Sequence, residues 1–201
     1  MRNKKNIVLA GVGGQGVVTA ANLLGRASVK AGLPVYSSEV HGMAQRGGSV
    51  VCTVRIGDVS HPLIPSGGAD AIISLEPVEV IRYITYANKD TIIITDTNPV
   101  VPFTVSVSGE RYPTLDEIKN ELKKHTRLYP IDALKIAREA GATITKNIVI
   151  LGALSAFDVL PFKHEVLEDT ILEGVSDKYK SINKTAFKLG RETILKQLKK
   201  Q

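Results

Sequence analysis

Two glycine-rich segments contain the residues of this sequence whose types and spacing could do chemistry. The first reads GVGGQG and lies between an apolar run and an apparent helix. Gly11, Gly13 and Gly16 have the G-x-G-x-x-G spacing, which can present backbone amides at the positive end of a helix to a phosphate. Gly14 and Gln15 complete the segment, and the Gln15 side chain can both donate and accept hydrogen bonds. We expect this loop to face a substrate or a cofactor.

The second segment, SSEVHGMAQRGGSV, sets polar and charged side chains among glycines. Its glycines let the backbone approach a ligand closely, and an arginine can make bidentate contact with a carboxylate or a phosphate. His41 could contact a ligand, transfer a proton or hydrogen-bond within the loop, and Glu39 could contact a ligand or pair with Arg46. The candidate site residues of this segment are Glu39, His41, Gly42, Gln45, Arg46, Gly47 and Gly48.

The residue pattern leaves three interpretations of the first segment open. It could bind a dinucleotide, with Glu39 on the ribose hydroxyls, or it could form another phosphate or cofactor surface. Its glycines could also do no more than permit a tight strand-to-helix turn. A stand-alone NAD-binding or nucleotide-binding protein is therefore one hypothesis of function. Gln15 and the second glycine-rich segment weigh against it, because a simple phosphate loop requires neither.

The apolar periodicity predicts an α/β fold in which strands and helices alternate. A strand at 6–10, a helix at 16–30 and a strand at 35–38 form a βαβ unit, and an alternating strand at 49–57 follows without a long helix before it. We predict a doubly wound, mostly parallel, Rossmann-like sheet flanked by helices. The loops after the first two strands of such a sheet emerge at its carboxyl edge, so both glycine-rich segments should form one site.

The rest of the chain predicts further αβ units and then a helical section. Asp96 follows a buried strand at 91–95, where α/β proteins often bind ligands, although a capping or turn role is the more typical one. Thr114 and Glu117 have the capping-box spacing at the start of a helix. The section from about 147 to 201 reads as helical, and we expect residues 1–201 to form a single domain.

The composition narrows the classes of function. A net charge of +6 and a pI near 9.4 favour anionic partners. The sequence has no zinc-finger spacing, no ribonucleoprotein-type aromatic motif and no tryptophan, so we expect no nucleic acid partner. No apolar stretch reaches the roughly 18 to 20 residues that a membrane span needs. We expect a cytoplasmic protein with no membrane partner.

The one cysteine, Cys52, alternates with valines in the strand at 49–57, a pattern that is typical of an inert core residue. A single thiol cannot form an internal disulfide or by itself hold an iron–sulfur cluster or a structural zinc ion. We therefore expect no metal site and no cofactor bound by this chain alone.

Taken together, the motifs resemble the gamma-type subunit of the 2-oxoacid:ferredoxin oxidoreductases. The resemblance rests on GVGGQG, EVHGMAQRGGSV and NIVILGAL, and it extends to GADAIISLEPVEVIR and IDALKIAREAG. Relatives that act on pyruvate have a sequence more like Arg-Arg-Gly-Ala-Pro in the second motif, where this chain has QRGGS at 45–49. This departure favours the branch of the family that acts on indolepyruvate and other aryl-pyruvates.

The resemblance implies an oxidative decarboxylation in which a 2-oxoacid and coenzyme A become an acyl-coenzyme A and carbon dioxide, while electrons pass to ferredoxin. Such enzymes use thiamine diphosphate and iron–sulfur clusters. This sequence contains no Gly-Asp-Gly motif followed by a distant Asn-Asn and too few cysteines for a cluster. The resemblance therefore implies a larger partner subunit with both cofactors, contact with ferredoxin through the complex, and an isolated chain that is inactive and could form a homodimer.

Overall fold

A six-stranded sheet with helices on both faces forms the centre of the computed structural model, which describes residues 4–42, 47–101, 105, 111–124 and 126–200. The strands are β1 (Lys4–Val12), β2 (Val35–His41), β3 (Ser49–Gly57), β4 (Ala71–Ser74), β5 (Ile92–Asp96) and β6 (Arg127–Ile131). The helices are α1 (Val17–Lys30), α2 (Pro77–Arg82), α3 (Leu115–Lys123), α4 (Ala133–Ala140), α5 (Lys146–Leu154), α6 (His164–Glu173) and α7 (Asp177–Leu198). Short 3₁₀ turns occur at Ile84–Tyr86 and Thr143–Thr145.

The strands lie in the order β2-β3-β1-β4-β5-β6. The β1–β4, β4–β5 and β5–β6 pairs are parallel, whereas β3 is antiparallel to both β1 and β2. The predicted α/β, mostly parallel fold is therefore confirmed, with one difference: β3 lies between β1 and β2. The connection from β2 to β3 is too short for the helical crossover that a parallel neighbour would need, so these strands pair antiparallel.

Each face of the sheet buries one hydrophobic cluster. Helices α1, α4, α5, α6 and α7 contribute to the larger cluster, which includes Leu9, Leu24 and Phe187. Helices α2 and α3 cover the opposite face around Val8, Ile72 and Ile93. Because β4 is buried on both faces, its sequence AIIS is an almost continuous apolar run rather than an alternating one.

The predicted helix ends are largely present in the structure. Thr114 and Glu117 form a complete capping box at α3, and Gly141 ends α4 in a left-handed conformation with φ +113°. The helix that we predicted from Pro77 to Ala87 is shorter, because Tyr83 leaves the helical region at φ −112° and its amide bonds the Val80 carbonyl. The predicted helical final third consists of α5, α6 and α7.

Helices α5 and α7 cross at two glycines that allow backbone contact. A Cβ on Gly152 would lie 2.0 Å from the Phe187 carbonyl oxygen, and a Cβ on Gly190 would lie 2.0 Å from the Val149 carbonyl oxygen. Alanine at either position is therefore incompatible with this crossing. None of the helices in the described ranges is both long and apolar enough to cross a membrane.

Candidate functional site

The two glycine-rich segments are joined by hydrogen bonds at the carboxyl edge of β1. The Gly13 amide donates to the Gly48 carbonyl at 2.8 Å, and the Gly47 amide approaches the Gly13 carbonyl at 3.5 Å. This contact forms because β1 and β2 end, and β3 begins, at the same edge of the sheet. The structure thus brings together the parts of both predicted loops that it describes.

A cleft of about 470 Å³ opens beside this contact. It lies over the start of α1, where Gly16 is the N-cap and none of the described side chains caps the helix. The positive end of the helix dipole therefore points to this opening, which favours an anionic group. The cleft is lined by Val12, Gly13, Gly14, Gly16, Val17, Val18, Thr19, Glu39, His41 and Val50.

The positions of GVGGQG require glycine for different structural reasons. A Cβ on Gly11 would lie 2.8 Å from both the Gln15 Oε1 and a Val17 methyl carbon, so close packing requires glycine there. Gly14 and Gly16 have φ values of +95° and +83°, which other residues rarely adopt. Gly14 is exposed, and a Cβ there would meet open space. Gly14 is therefore the glycine of the loop that leaves its backbone most open to a ligand.

The prediction that the Gln15 side chain faces the cleft is wrong. Its Oε1 accepts a hydrogen bond from the Val12 amide at 2.8 Å, and its Nε2 donates to the Leu75 carbonyl at 3.0 Å. Both groups of the side-chain amide are thus used within the fold, because buried backbone groups at the end of β1 and just after β4 need partners. Gln15 fixes the shape of the loop from behind.

Glu39 and His41 lie at the end of β2 and face the cleft. The His41 Nε2 is 3.5 Å from the Glu39 Oε1, and the His41 Nδ1 is 2.9 Å from the Gly42 carbonyl oxygen. Both side chains are exposed, so this pair contributes little to stability. Gly42 is exposed at the end of the strand. The predicted site residues Gln45 and Arg46 lie outside the described residues.

Lys146 and Asp96 form a buried support behind the glycine loop. The Lys146 Nζ donates to the Asp96 carboxylate at 2.7 Å and to the Leu75 carbonyl at 2.9 Å. Asp96 also accepts from the Ala133 amide at 3.1 Å, so it stabilises the start of α4, in line with the capping role expected for it. Gln15 shares the Leu75 carbonyl with Lys146. Sequence reasoning missed Lys146, because its partners are 50 and 71 residues away.

Asn147, the first residue of the NIVILGAL motif, contacts the start of α1. Its Nδ2 lies 3.4 Å from the Gly16 carbonyl oxygen, and a Cβ on Gly16 would lie 2.7 Å from that nitrogen. The motif therefore joins the start of α1 to α5 through Asn147, and α5 to α7 through Gly152.

A second polar cluster holds the start of β3. The Ser49 hydroxyl donates to the Glu79 carboxylate and lies 3.1 Å from the Tyr83 hydroxyl. Burial raises the pKa of Glu79, although hydrogen bonds from Ser49 and Arg82 partly oppose this. Ser49, near the end of the second glycine-rich segment, is thus anchored to α2.

Cys52 is buried in the core, as predicted. Burial raises the pKa of its thiol to about 11, and the nearby Glu39 carboxylate adds to this effect. The thiol is therefore neutral and unreactive near pH 7. Within the described ranges, no cluster of three or more His, Cys, Asp or Glu is placed to bind a metal ion.

The strand order separates this site from a standard dinucleotide site. Because β3 lies between β1 and β2, Glu39 is about 10 Å from β1 in the plane of the sheet, twice the usual strand spacing. The Gly13 and Gln15 amides already donate to the Gly48 and Val12 carbonyls. A dinucleotide loop would instead direct such amides to a pyrophosphate.

Comparison with known proteins agrees with this geometry. Residues 6–193 match the pyruvate ferredoxin/flavodoxin oxidoreductase family. The chain is 47% identical over 186 residues to indolepyruvate oxidoreductase subunit IorB of Archaeoglobus fulgidus, with 92% of each protein covered. It is 46% identical to the subunit of the same name from Thermococcus kodakarensis, with 92% of this chain and 93% of that protein covered.

Two solved structures share the fold. The gamma subunit of a keto/oxoacid ferredoxin oxidoreductase from Geobacter sulfurreducens superposes with a TM-score of 0.70 at 23% identity, covering 96% of this chain and 99% of that one. A 2-oxoglutarate:ferredoxin oxidoreductase from Magnetococcus marinus, with 2-oxoglutarate, coenzyme A and succinyl-CoA bound, gives a TM-score of 0.74 at 19% identity. That match covers 98% of this chain and 32% of the other.

The family match, the relatives and the shared fold together identify the chain as a gamma-type subunit. The chain belongs to the pyruvate ferredoxin/flavodoxin oxidoreductase family. The resemblance inferred from the sequence motifs is confirmed.

Proposed function

We propose that this chain is the IorB-type subunit of an indolepyruvate ferredoxin oxidoreductase and that its glycine cleft completes the active site of a larger subunit. The enzyme converts an aryl-pyruvate and coenzyme A to an acyl-coenzyme A and carbon dioxide and passes the electrons to ferredoxin. High identity over nearly the full length of IorB proteins supports this assignment.

The thiamine diphosphate and iron–sulfur clusters of this reaction belong to the larger subunit. The residues of this chain do not fit a cluster, since clusters are held by several cysteine thiolates and Cys52 is the one cysteine, buried and neutral. Electrons pass to ferredoxin through the assembled complex. The role of this chain is to bind and orient a substrate and to shape its access to the reacting centre.

The Gly13–Gly48 hydrogen bond is the observation that best supports the proposed site. It holds the loop before α1 beside Gly47 and Gly48, which directly follow Arg46 in the sequence. An anionic group at the start of the helix would, on this proposal, also meet the Arg46 guanidinium. The anionic end of coenzyme A and the carboxylate of the 2-oxoacid both have the required charge. Glu39 and His41 form the polar rim of the same cleft.

Replacement of Arg46 tests this site in the assembled complex. Loss of a charge-assisted contact worth about 1.5 to 3 kcal/mol predicts that Arg46→Ala lowers activity at limiting substrate about tenfold or more, with folding intact. Lys199→Ala removes an exposed positive charge near the end of the last helix and should change little. An Arg46→Ala complex with unchanged kinetics would remove the proposed site.

Calorimetry distinguishes this function from nucleotide binding. The isolated chain should bind NAD no better than it binds an unrelated nucleotide, and Glu39→Ala should not alter that result. Tight NAD binding by the chain alone, weakened by Glu39→Ala, would favour the dinucleotide alternative over the subunit function.

A further inference from the structure

The outer edge of β2 is a feature of the fold that the proposed function does not use. β2 is the end strand of the sheet formed by the described residues, with β3 on one side. Five of its seven residues are exposed. The backbone groups of an end strand that point away from the sheet can pair with a further strand, and proteins often block such edges with lysine or proline. The β2 sequence, VYSSEVH, contains neither.

Large apolar side chains are exposed on one face of this edge. Tyr36 and Val40 are 43% and 64% exposed. They pair with Arg55 and Val51 of β3, and Val51 packs against the hydrophobic cluster on the face opposite α1, so Tyr36 and Val40 lie on that face too. Leu63, 68% exposed, is held beside this face by the Arg55 guanidinium, which donates to the Leu63 carbonyl. Tyr36, Val40 and Leu63 define the β2 edge patch.

We propose that β2 pairs antiparallel with β2 of a second copy of this chain, about a two-fold axis beside Ser38. In this register Tyr36 lies opposite Val40 of the second copy, so the exposed apolar side chains of the edge meet across the interface. Glu39 lies opposite Ser37, and no two like charges are opposed. The interface is isologous, with the same strand on both sides.

Neighbouring registers are less favourable. A two-fold axis beside Glu39 would set two carboxylates opposite each other, which is destabilising. An axis beside Ser37 would set Pro34, which has no amide hydrogen, opposite Val40. The Ser38 register also pairs all seven residues of the strand. The strand is thus complementary to itself, which favours a second copy of this chain over an unrelated partner.

A cysteine at the two-fold axis tests the pairing and its register. Directly opposed residues of an antiparallel pair have Cα atoms about 4.5 to 5.5 Å apart, a distance that a disulfide can bridge. Ser38→Cys should therefore form a covalent dimer under mild oxidation. Ser37→Cys is the matched control, because two copies of residue 37 would be separated by about 8 Å. The wild-type chain, with its buried Cys52, should not cross-link.

Sedimentation measures the same interface without cross-linking. The wild-type chain should dimerise reversibly, and Val40→Lys should raise the dimer dissociation constant at least tenfold. Ile144→Lys is the matched control, since Ile144 is a β-branched apolar residue that is 86% exposed in the 3₁₀ turn between α4 and α5. Circular dichroism should show both variants folded.

Several results would overturn the proposal. These are a wild-type chain that stays monomeric at all attainable concentrations, equal effects of the two lysine variants, or cross-linking of Ser37→Cys as fast as Ser38→Cys. A monomer whose β2 amides become protected from hydrogen exchange only when the larger subunit is added would also overturn it, and would assign the edge to that subunit. None of these results depends on which 2-oxoacid the enzyme uses.

Discussion

Lys146 and Asp96 form the most deeply buried ion pair among the described residues, with side-chain exposures of 13% and 0%. Their position behind the glycine loop ties the ends of β4 and β5 to the start of α5. The pair does not face the cleft, so its contribution is to hold the loop rather than to contact a substrate. A buried charge without its partner is strongly destabilising, which makes this support testable.

Replacement of Lys146 by methionine should lower the free energy of unfolding by about 3 to 5 kcal/mol, because it leaves the Asp96 carboxylate buried without its cation. Lys30→Met is the matched control. It breaks the exposed Lys30–Glu173 pair, with side-chain exposures of 39% and 59%, and should change the stability far less than Lys146→Met does. Urea unfolding measures both.

A double variant separates charge from packing. If the uncompensated carboxylate causes the loss, Asp96→Asn should recover part of the stability of Lys146→Met. Equal losses in Lys146→Met and Lys30→Met would show that the buried pair does not support the loop.

At the residue scale, the sequence predicted which residue types form the loop better than it predicted where their side chains point. The glycine spacing and the amide of Gln15 were recognisable, yet Gln15 turns away from the cleft to the Leu75 carbonyl, 60 residues further along the chain. Side-chain direction here depends on which distant backbone groups need partners. No local pattern contains that information, and the same holds for Lys146.

At the scale of elements, the apolar pattern predicted the strands and helices, because most of them bury one regular face and the others, such as β4, are continuous apolar runs. Helix α1 and strand β3 lie almost where the sequence placed them. The position of β3 between β1 and β2 was not predicted, because strand order depends on contacts between residues far apart in the chain. The same insertion separates Glu39 from the location that a dinucleotide site would require.

Because α5 and α7 cross in backbone contact, replacing a glycine at the crossing by alanine should destabilise the protein, although alanine usually stabilises a helix. Gly152→Ala should lower the melting temperature, since its Cβ would lie 2.0 Å from the Phe187 carbonyl oxygen and the helices must separate. Gly25→Ala, in the middle of α1, meets open space and should raise stability by about 0.5 to 1 kcal/mol through helix propensity.

Thermal unfolding of the two alanine variants checks the close crossing. Opposite signs are expected, because the same substitution removes flexibility in both helices and causes a clash in only one. If Gly152→Ala were as stable as Gly25→Ala, the two helices could not be in backbone contact.

At the scale of the whole molecule, the chain is built to act beside another subunit. Its one thiol is buried, and its relatives are named as subunits. The sequence motifs were sufficient to predict the family, since both glycine segments and the α5 motif serve specific contacts in the fold. They were not sufficient to define the interface, which depends on surfaces of a second protein.

Turnover of indolepyruvate, measured for this chain alone and together with the larger subunit, tests the central claim most directly. With thiamine diphosphate, coenzyme A and ferredoxin supplied, the isolated chain should show neither iron–sulfur absorption nor 2-oxoacid oxidation. Addition of the larger subunit should give ferredoxin reduction that requires both indolepyruvate and coenzyme A. Turnover by this chain alone, or full turnover by the larger subunit without it, would contradict the account.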